Sequence, residues 1–364
     1  MRKIFTVLIF VAIFAVGFSG SYFLGKFSKV FVKSKNTGAP VETPIESPLP
    51  IPETSFGVLL LGHGGAGHQG GTLMDSIILV YVSPEQKKAL LISIPRDLYL
   101  GLPTDYDNVT NHKINEAFSI GADNIRYPNK RPEFKGESGG WELMKYSAGI
   151  VTGLTVKQFI AIDFSGYIKA IDTLGGVSVD VPKTYDDYFY PVKGKENETC
   201  GFSSTLIAEF HQKYSGFELE KQFTCRYEHI HFDPGLTTMN GETALKYTRS
   251  RHGDGDFGRS QRQFAVLKGL KEKMISLNVI PKGGALLDKV VAMVKTDIGA
   301  AEIKALLALF ANPSEYQIKE IHLTEENFLV SGKGPSGQFI LTPKEGMGRW
   351  EAIKRAISVE VAGN

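Results

Sequence analysis

The chain is poor in cysteine, lacks an excess of either charge and has one long apolar run. With two cysteines among 364 residues, a disulfide-dense miniprotein is excluded. With 41 basic and 39 acidic side chains, net +2, there is no bulk attraction for duplex nucleic acid. The first 54 residues hold six basic and three acidic side chains, which leaves 35 basic and 36 acidic, net −1, for residues 55–364. Any anion bound in that region must therefore be met by a local cluster. At 42% hydrophobic and 22% charged, the composition also excludes wholesale disorder and collagen. Length suggests about two domains, although one large α/β domain also fits.

The apolar run is Ile4 to Leu24, 21 residues without a charge. As a helix it spans about 30 Å, enough to cross a bilayer. Arg2 and Lys3 precede it and Lys26, Lys29, Lys33 and Lys35 follow, so flanking charge does not fix orientation. A transmembrane anchor over 4–25 after a short cytoplasmic tail (1–3) is expected. The competing reading is a cleaved signal peptide, with Ala15 and Gly17 as a weak small-residue site. Residues 26–54 read as a spacer, with five prolines between Pro40 and Pro52, extended enough to hold residues 55–364 off a membrane.

Short buried strands are expected at Phe56–Leu61, Ile77–Val82, Ala89–Ile94, Gln158–Asp163 and Val177–Val181, with late strands at Ile318–Leu323 and Gln338–Leu341. Helical spacing marks Trp141–Thr152, Gly166–Leu174, Phe257–Leu277, Leu286–Val294 and Ala301–Phe310. Helices alternating with strands predict a three-layer α/β/α sandwich with a mixed central sheet. Residues 183–235 fit least well and read as a loop-rich insertion. Cys200 and Cys225 bracket part of that stretch. In an oxidising compartment a disulfide there would stabilise by roughly 3 kcal/mol; two free thiols are the alternative.

Four segments carry candidate chemistry. Thr248 to Gln263 holds Arg249, Arg251, Arg259 and Arg262, with Asp254 and Asp256 among them. Arg249 and Arg251, two apart, face one way if extended, while Arg259, Arg262 and Gln263 share a face at the start of a helix. Planar forks beside a helix start suit phosphate or pyrophosphate. The bland reading is a salt-bridge network with Asp254 and Asp256. Arg96 and Asp97 follow a buried strand, at the strand end where α/β sheets place ligands, or they simply pair with each other. Asp75 opens a strongly apolar strand and needs a partner, a cap or a metal; one carboxylate beside a diphosphate suits Mg²⁺. Gly62 to Gly71 is six-tenths glycine but lacks the Gly-Lys-Ser/Thr ending of a P-loop, and reads as a flexible site wall. His63 and His68 in it are weak metal candidates. Lys113-Ile114-Asn115 alone is only a polar turn.

In order along the chain, the anchor, the spacer, Asp75-Ser76, Ser93 to Asp97, Lys113 to Asn115, Ile162-Asp163-Phe164, Leu174 to Pro182, Met239 to Arg251 and Gly255 to Gln263 resemble the LytR–CpsA–Psr family over about residues 55–345. The resemblance implies an extracytoplasmic domain of a single-pass membrane protein. It would bind a polyprenyl-pyrophosphate lipid and transfer the glycopolymer on it to peptidoglycan through a phosphodiester link, with Mg²⁺ assisting. Arg96, Arg249, Arg251, Arg259 and Gln263 would hold the pyrophosphate, and Asp75 the metal. Lys113, Asp97 and Asp256 would orient or pair with these groups. Arg251 would stabilise charge, and Asp97 or Asp256 would be the general base. Water in place of the sugar hydroxyl would make the chain a pyrophosphatase; loss of the metal would make it a lipid-binding regulator. Two positions depart from the family pattern: Leu73 stands where an arginine is common, and Gly64 where an aspartate usually completes the metal pair. Direct nucleic-acid binding is not expected.

Overall fold

A computed structural model describes residues 55–65, 70–276, 293–298 and 317–362. The expected anchor and spacer, His68, the expected helix at Ala301–Phe310 and nearly all of that at Leu286–Val294 lie outside them. Among the described residues no helix is long and apolar enough to cross a membrane. Two compact units are present, one drawn from Met1–Leu174 and Lys271–Asn364, the other from Gly175–Leu270.

In chain order the first unit begins with β1 (Phe56–His63), β2 (Met74–Ser83), β3 (Lys88–Ser93), β4 (Tyr99–Pro103), β5 (Val109–Lys113), α1 (Ala117–Ala122), α2 (Gly136–Thr152), β6 (Val156–Asp163) and α3 (Phe164–Thr173). The second unit follows with β7 (Val177–Val181), β8 (Tyr185–Pro191), α4 (Ser204–Lys213), α5 (Phe217–Glu220), β9 (Tyr227–Phe232), β10 (Gly235–Met239), α6 (Gly241–Arg249) and α7 (Gly255–Ser276), whose residues from Lys271 on count with the first unit. The first unit resumes with β11 (Val294–Thr296), β12 (Gln317–His322), β13 (Leu329–Lys333), β14 (Phe339–Pro343) and α8 (Glu351–Ala362).

The first unit is built on a six-stranded sheet of order β11-β6-β1-β2-β3-β12. β1 runs parallel to β6, and β3 to β12, while β1–β2, β2–β3 and β6–β11 are antiparallel. This is a mixed sheet in an α/β fold. Ile77 to Val82 are all buried, which is why their sequence is a continuous apolar run rather than an alternation. On one face Leu59, Leu79 and Ile92 pack with α2 residues Trp141, Leu143 and Met144 and with Ile353 and Ile357 of α8. Trp141 lies between Phe118 and Phe159, at ring-centroid distances of 4.1 and 4.4 Å. Gly121 lets α1 approach α2: a β-carbon there would stand 2.5 Å from the Gly140 α-carbon.

In the second unit β7 pairs with β10 and β8 with β9, both antiparallel. The stretch 183–235, expected to be loop-rich, thus contains an ordered ribbon with α4 and α5 between its strands. Cys200 and Cys225 form a disulfide with an α-carbon separation of 5.6 Å, closing the connection just before β9. Phe202, Phe210 and Phe223 pack edge to face beside it.

Candidate functional site

Asp75 owes its placement to a bulge. Gly62 pairs with Ser76 and His63 with Met74, so Asp75 is the extra residue between two registers of β1 and β2, a device that re-aims a side chain at a sheet's edge. Arg96 and Asp97 follow the end of β3, where Leu98 N–H donates to the Pro95 carbonyl at 3.1 Å. The backbone then stitches this turn to the Lys113 segment. Ile114 N–H donates to Leu98 O at 2.7 Å and Asn115 N–H to Arg96 O at 3.3 Å, while Tyr99 pairs with Lys113 across β4 and β5. Leu341 N–H of β14 donates to Asp97 O at 2.9 Å.

This frame brings four of the expected site residues together. Arg96 Nη1 donates to Asp75 Oδ1, and Arg96 Nε faces Asp97 Oδ2 at 3.5 Å. Lys113 Nζ donates to Asp97 Oδ1 at 2.7 Å. The result is an alternating chain, Asp75–Arg96–Asp97–Lys113. Asp97 is buried, with 7% of its side chain exposed, against 29% for Arg96, 27% for Asp75 and 18% for Lys113. Each Asp97 oxygen faces a cation, so this geometry is that of a group that positions Arg96 and Lys113. Two cations and two carboxylates cancel, so the four groups alone carry no surplus charge toward a diphosphate.

Of the glycine-rich wall, Gly62–Gly65 and Gly70–Gly71 are described. His63 Nδ1 hydrogen-bonds the Gly71 carbonyl at 3.0 Å, which leaves only Nε2 as a ligand atom. Among the described residues no three His, Cys, Asp or Glu groups converge around Asp75. Asp75 is the carboxylate of this cluster that would hold Mg²⁺, an ion that takes most of its ligands from phosphate and water.

The second cluster runs from the end of α6 into α7. Asn240 caps α6 by accepting from Thr243 N–H at 2.8 Å, and Arg249 is the helix's last residue. Arg249 Nη1 donates to Tyr190 Oη on β8 at 3.1 Å. Ser250 to Asp254 cross to α7, held by two buried groups. Arg262, 4% exposed, donates to Tyr247 O at 2.7 Å, to Ser250 O and to Asp254 Oδ1 at 2.5 Å, and its guanidinium lies 4.0 Å over the Tyr185 ring. Asp187, 1% exposed, accepts from Ser250 Oγ, from Arg251 N–H and His252 N–H at 3.3 Å each, and from Phe189 N–H at 2.8 Å. A β-carbon at Gly253 would fall 2.4 Å from the Asp186 carbonyl, so the chain can pass β8 here only with glycine. Arg259 is buried on α7, and Gln263 Nε2 lies 3.4 Å from Thr248 O. Asp256 lies in the first turn of α7.

Electrostatics tighten the same loop. His252 Nδ1 is 3.3 Å from Asp187 Oδ1 and its Nε2 3.6 Å from Glu220 Oε2. The Asp187 contact, then the Glu220 contact, raise the His252 pKa to about 9 against opposing burial. Burial pushes Asp187 upward, but hydrogen bonds from His252, Ser250 and Phe189 outweigh it and hold the carboxyl well below the usual range.

Within this cluster the salt-bridge reading holds for Arg262 and Asp254. Sequence reasoning missed Asp187, His252, Tyr185 and Tyr190. Their signal lies in Tyr185 to Tyr190, YDDYFY, aromatic enough for a strand but with two carboxylates that read as a loop.

Several known proteins resemble the chain. TagV of Bacillus subtilis strain 168, named a polyisoprenyl-teichoic acid–peptidoglycan teichoic acid transferase, is 26% identical over 293 residues, 79% of this chain and 60% of TagV. Biofilm regulatory protein A of Streptococcus mutans is 24% identical over 287 residues, 76% of this chain and 57% of that protein. The chain thus spans about 60% of the length of these curated relatives. The fold matches the crystal structure of B. subtilis TagV with a TM-score of 0.53 at 22% identity, covering 85% of this chain and 97% of that one. It matches a structure of TagT bound to LI-WTA with a TM-score of 0.52 at 19% identity, covering 89% and 95%. A model of the LytR_cpsA_psr family matches residues 22–343, and the chain belongs to that family.

Proposed function

We propose that the chain is an enzyme that transfers a glycopolymer from a polyprenyl-pyrophosphate carrier to peptidoglycan. The observation that carries this reading is the Asp75–Arg96–Asp97–Lys113 ion chain in a protein of this family. Its relatives' names point the same way: TagV is named as such a transferase and TagT is described with LI-WTA bound. In the proposed step a peptidoglycan hydroxyl attacks the sugar-proximal phosphorus. The new O–P bond forms as the bond to the bridging oxygen breaks, polyprenyl phosphate leaves, and the hydroxyl proton passes to a carboxylate. Negative charge on nonbridging oxygens is what arginines stabilise, and Arg96, Arg249, Arg251 and Arg259 are assigned to it with Gln263. The base is Asp97, whose oxygens face Lys113 and Arg96, or Asp256.

Mg²⁺, held through Asp75, would supply positive charge that the neutral strand-end cluster lacks. The proposal also takes the sheet as the middle of three layers and the chain as anchored by residues 4–25 outside the cytoplasm. The test is to give the full chain a labelled lipid-linked glycopolymer with and without peptidoglycan. Label attached to the wall is expected, with less of it after chelation of divalent ions. Free label in both reactions indicates a pyrophosphatase, and unchanged lipid a binding protein.

A further inference from the structure

The β8–β9 ribbon carries a cluster that plays no part in the proposed transfer. Asp186 pairs in register with His231 across the two strands, so both side chains leave the same face. His229, two residues before His231 on β9, shares that face. His229 Nε2 lies 2.7 Å from Asp186 Oδ1, and His231 Nδ1 lies 2.8 Å from the same oxygen. One ligand atom from each of the three residues falls within 4.8 Å of the other two. Two neighbours flank these atoms. The Tyr188 ring stacks on His229 at 4.0 Å, with planes 2° apart, and Asp233 Oδ1 lies 3.2 Å from the far nitrogen of His231. The disulfide closes the chain two residues before β9.

We propose that Asp186, His229 and His231 form a binding site for a divalent transition metal of the Zn²⁺ class. Two imidazoles and a carboxylate are the ligand set that Zn²⁺ and its neighbours take, whereas Mg²⁺ prefers oxygen. A carboxylate on the outer nitrogen, as Asp233 provides, is the usual second partner of a metal-bound histidine. Zinc–ligand bonds of about 2.0–2.1 Å separate tetrahedral ligands by about 3.3 Å. The exposed histidine nitrogens, 2.7 and 2.8 Å from Asp186 Oδ1, need open from that oxygen by only roughly half an ångström, and a tetrahedral ion would take its fourth ligand from water. Asp187, next to Asp186 but buried, holds the loop of Arg251 and His252. A metal on the outer face therefore pins the same strand that anchors the arginine loop.

The test uses the full chain with its disulfide intact and no polyhistidine tag, stripped with chelator and titrated calorimetrically with ZnCl₂ and separately with MgCl₂. One Zn²⁺ per chain is expected. His229→Ala and His231→Ala should each weaken binding at least 100-fold, and Asp233→Ala about tenfold. Zn²⁺ should raise the unfolding temperature of the wild type but not of the histidine variants. If either alanine variant fails to fold, His229→Gln and His231→Gln replace them. Less than one equivalent bound by the wild type, or wild-type affinity in the histidine variants, would overturn the site. Binding of Mg²⁺ that His229→Ala abolishes would overturn the metal class.

Discussion

The strand-end cluster of the first unit and the arginine loop of the second both present guanidinium groups, yet they are fixed by different means. Arg96 is held by side chains, since Asp75 and Asp97 accept from or face it directly. In the loop, buried side chains hold the backbone: Arg262 grips the carbonyls of Tyr247 and Ser250, and Asp187 the amides of Arg251 and His252. The first arrangement couples each charge to the next, so altering one member unbalances the others. The second separates the scaffold from the side chains it displays. Similar arginines are therefore expected to respond differently to substitution, according to what their nitrogens hold.

The largest effect tests that separation. Arg251→Ala removes a displayed side chain but leaves the amide that Asp187 grips. Transfer to peptidoglycan should fall by about 10²–10³-fold, the usual cost of losing one donor to developing charge, and by more than any accompanying loss of folded protein, read from the unfolding temperature, accounts for. Arg251→Lys should recover little, because a lysine lacks the planar fork. Arg262→Met should do the reverse. It strands Asp254 and two main-chain carbonyls, so stability should drop by about 3 kcal/mol, read as a lower denaturation midpoint. An Arg262 variant of wild-type stability but no turnover would place Arg262 among the substrate ligands and remove the distinction.

Sequence made this contrast only half visible. Ile77–Val82 was legible because burial on both faces demands an uninterrupted apolar run, and Val177–Val181 because its valines alternate with Ser178 and Asp180; they lie within β2 and coincide with β7. The helix at Phe257–Leu277 was legible from its period and is observed as Gly255–Ser276. Asp163 and Asn240, noticed only as parts of motifs, cap α3 and α6 by accepting from Gly166 and Thr243 amides. Of the alternating chain at Asp75, the contact of Arg96 with its neighbour Asp97 was legible and that of Lys113 with Asp97 was implied by the resemblance, but the link from Arg96 to Asp75 was not, since a bulge creates it and leaves no local pattern. Nor was the role of Asp187. The buried member of two adjacent carboxylates in an aromatic strand declares itself only when Ser250, more than 60 residues away, is brought to it.

The coupled cluster makes a smaller claim. Asp97→Asn keeps the shape but removes the charge that faces Arg96 and holds Lys113. Leaving two partly buried cations without that carboxylate should cost about 2 kcal/mol. Turnover should fall with it, and Asp97→Glu should restore neither fully because the longer arm misplaces both partners. If Asp97→Asn keeps full stability while abolishing turnover, the carboxylate acts on substrate rather than on its neighbours.

The smallest effect is one of pH. His252, at about 9 when folded against about 6.5 unfolded, binds its proton more tightly in the native state. Its contribution is complete below about pH 6.5 and is lost as pH rises toward 9. Asp187 moves the other way, its contribution present above about pH 4 and lost on acidification. Because the His252 ring is partly solvated, screening reduces the alkaline loss to about 1 kcal/mol. Urea midpoints measured from pH 6 to 10 should therefore slope downward in the wild type and flatten in His252→Gln. Lys130, which burial pulls down to about 8, and His231, which Asp186 and Asp233 raise, titrate in the same range, so the difference in slope between wild type and His252→Gln is what reports the loop. An equal slope in His252→Gln would mean that the His252–Asp187 pair does not clamp the arginine loop.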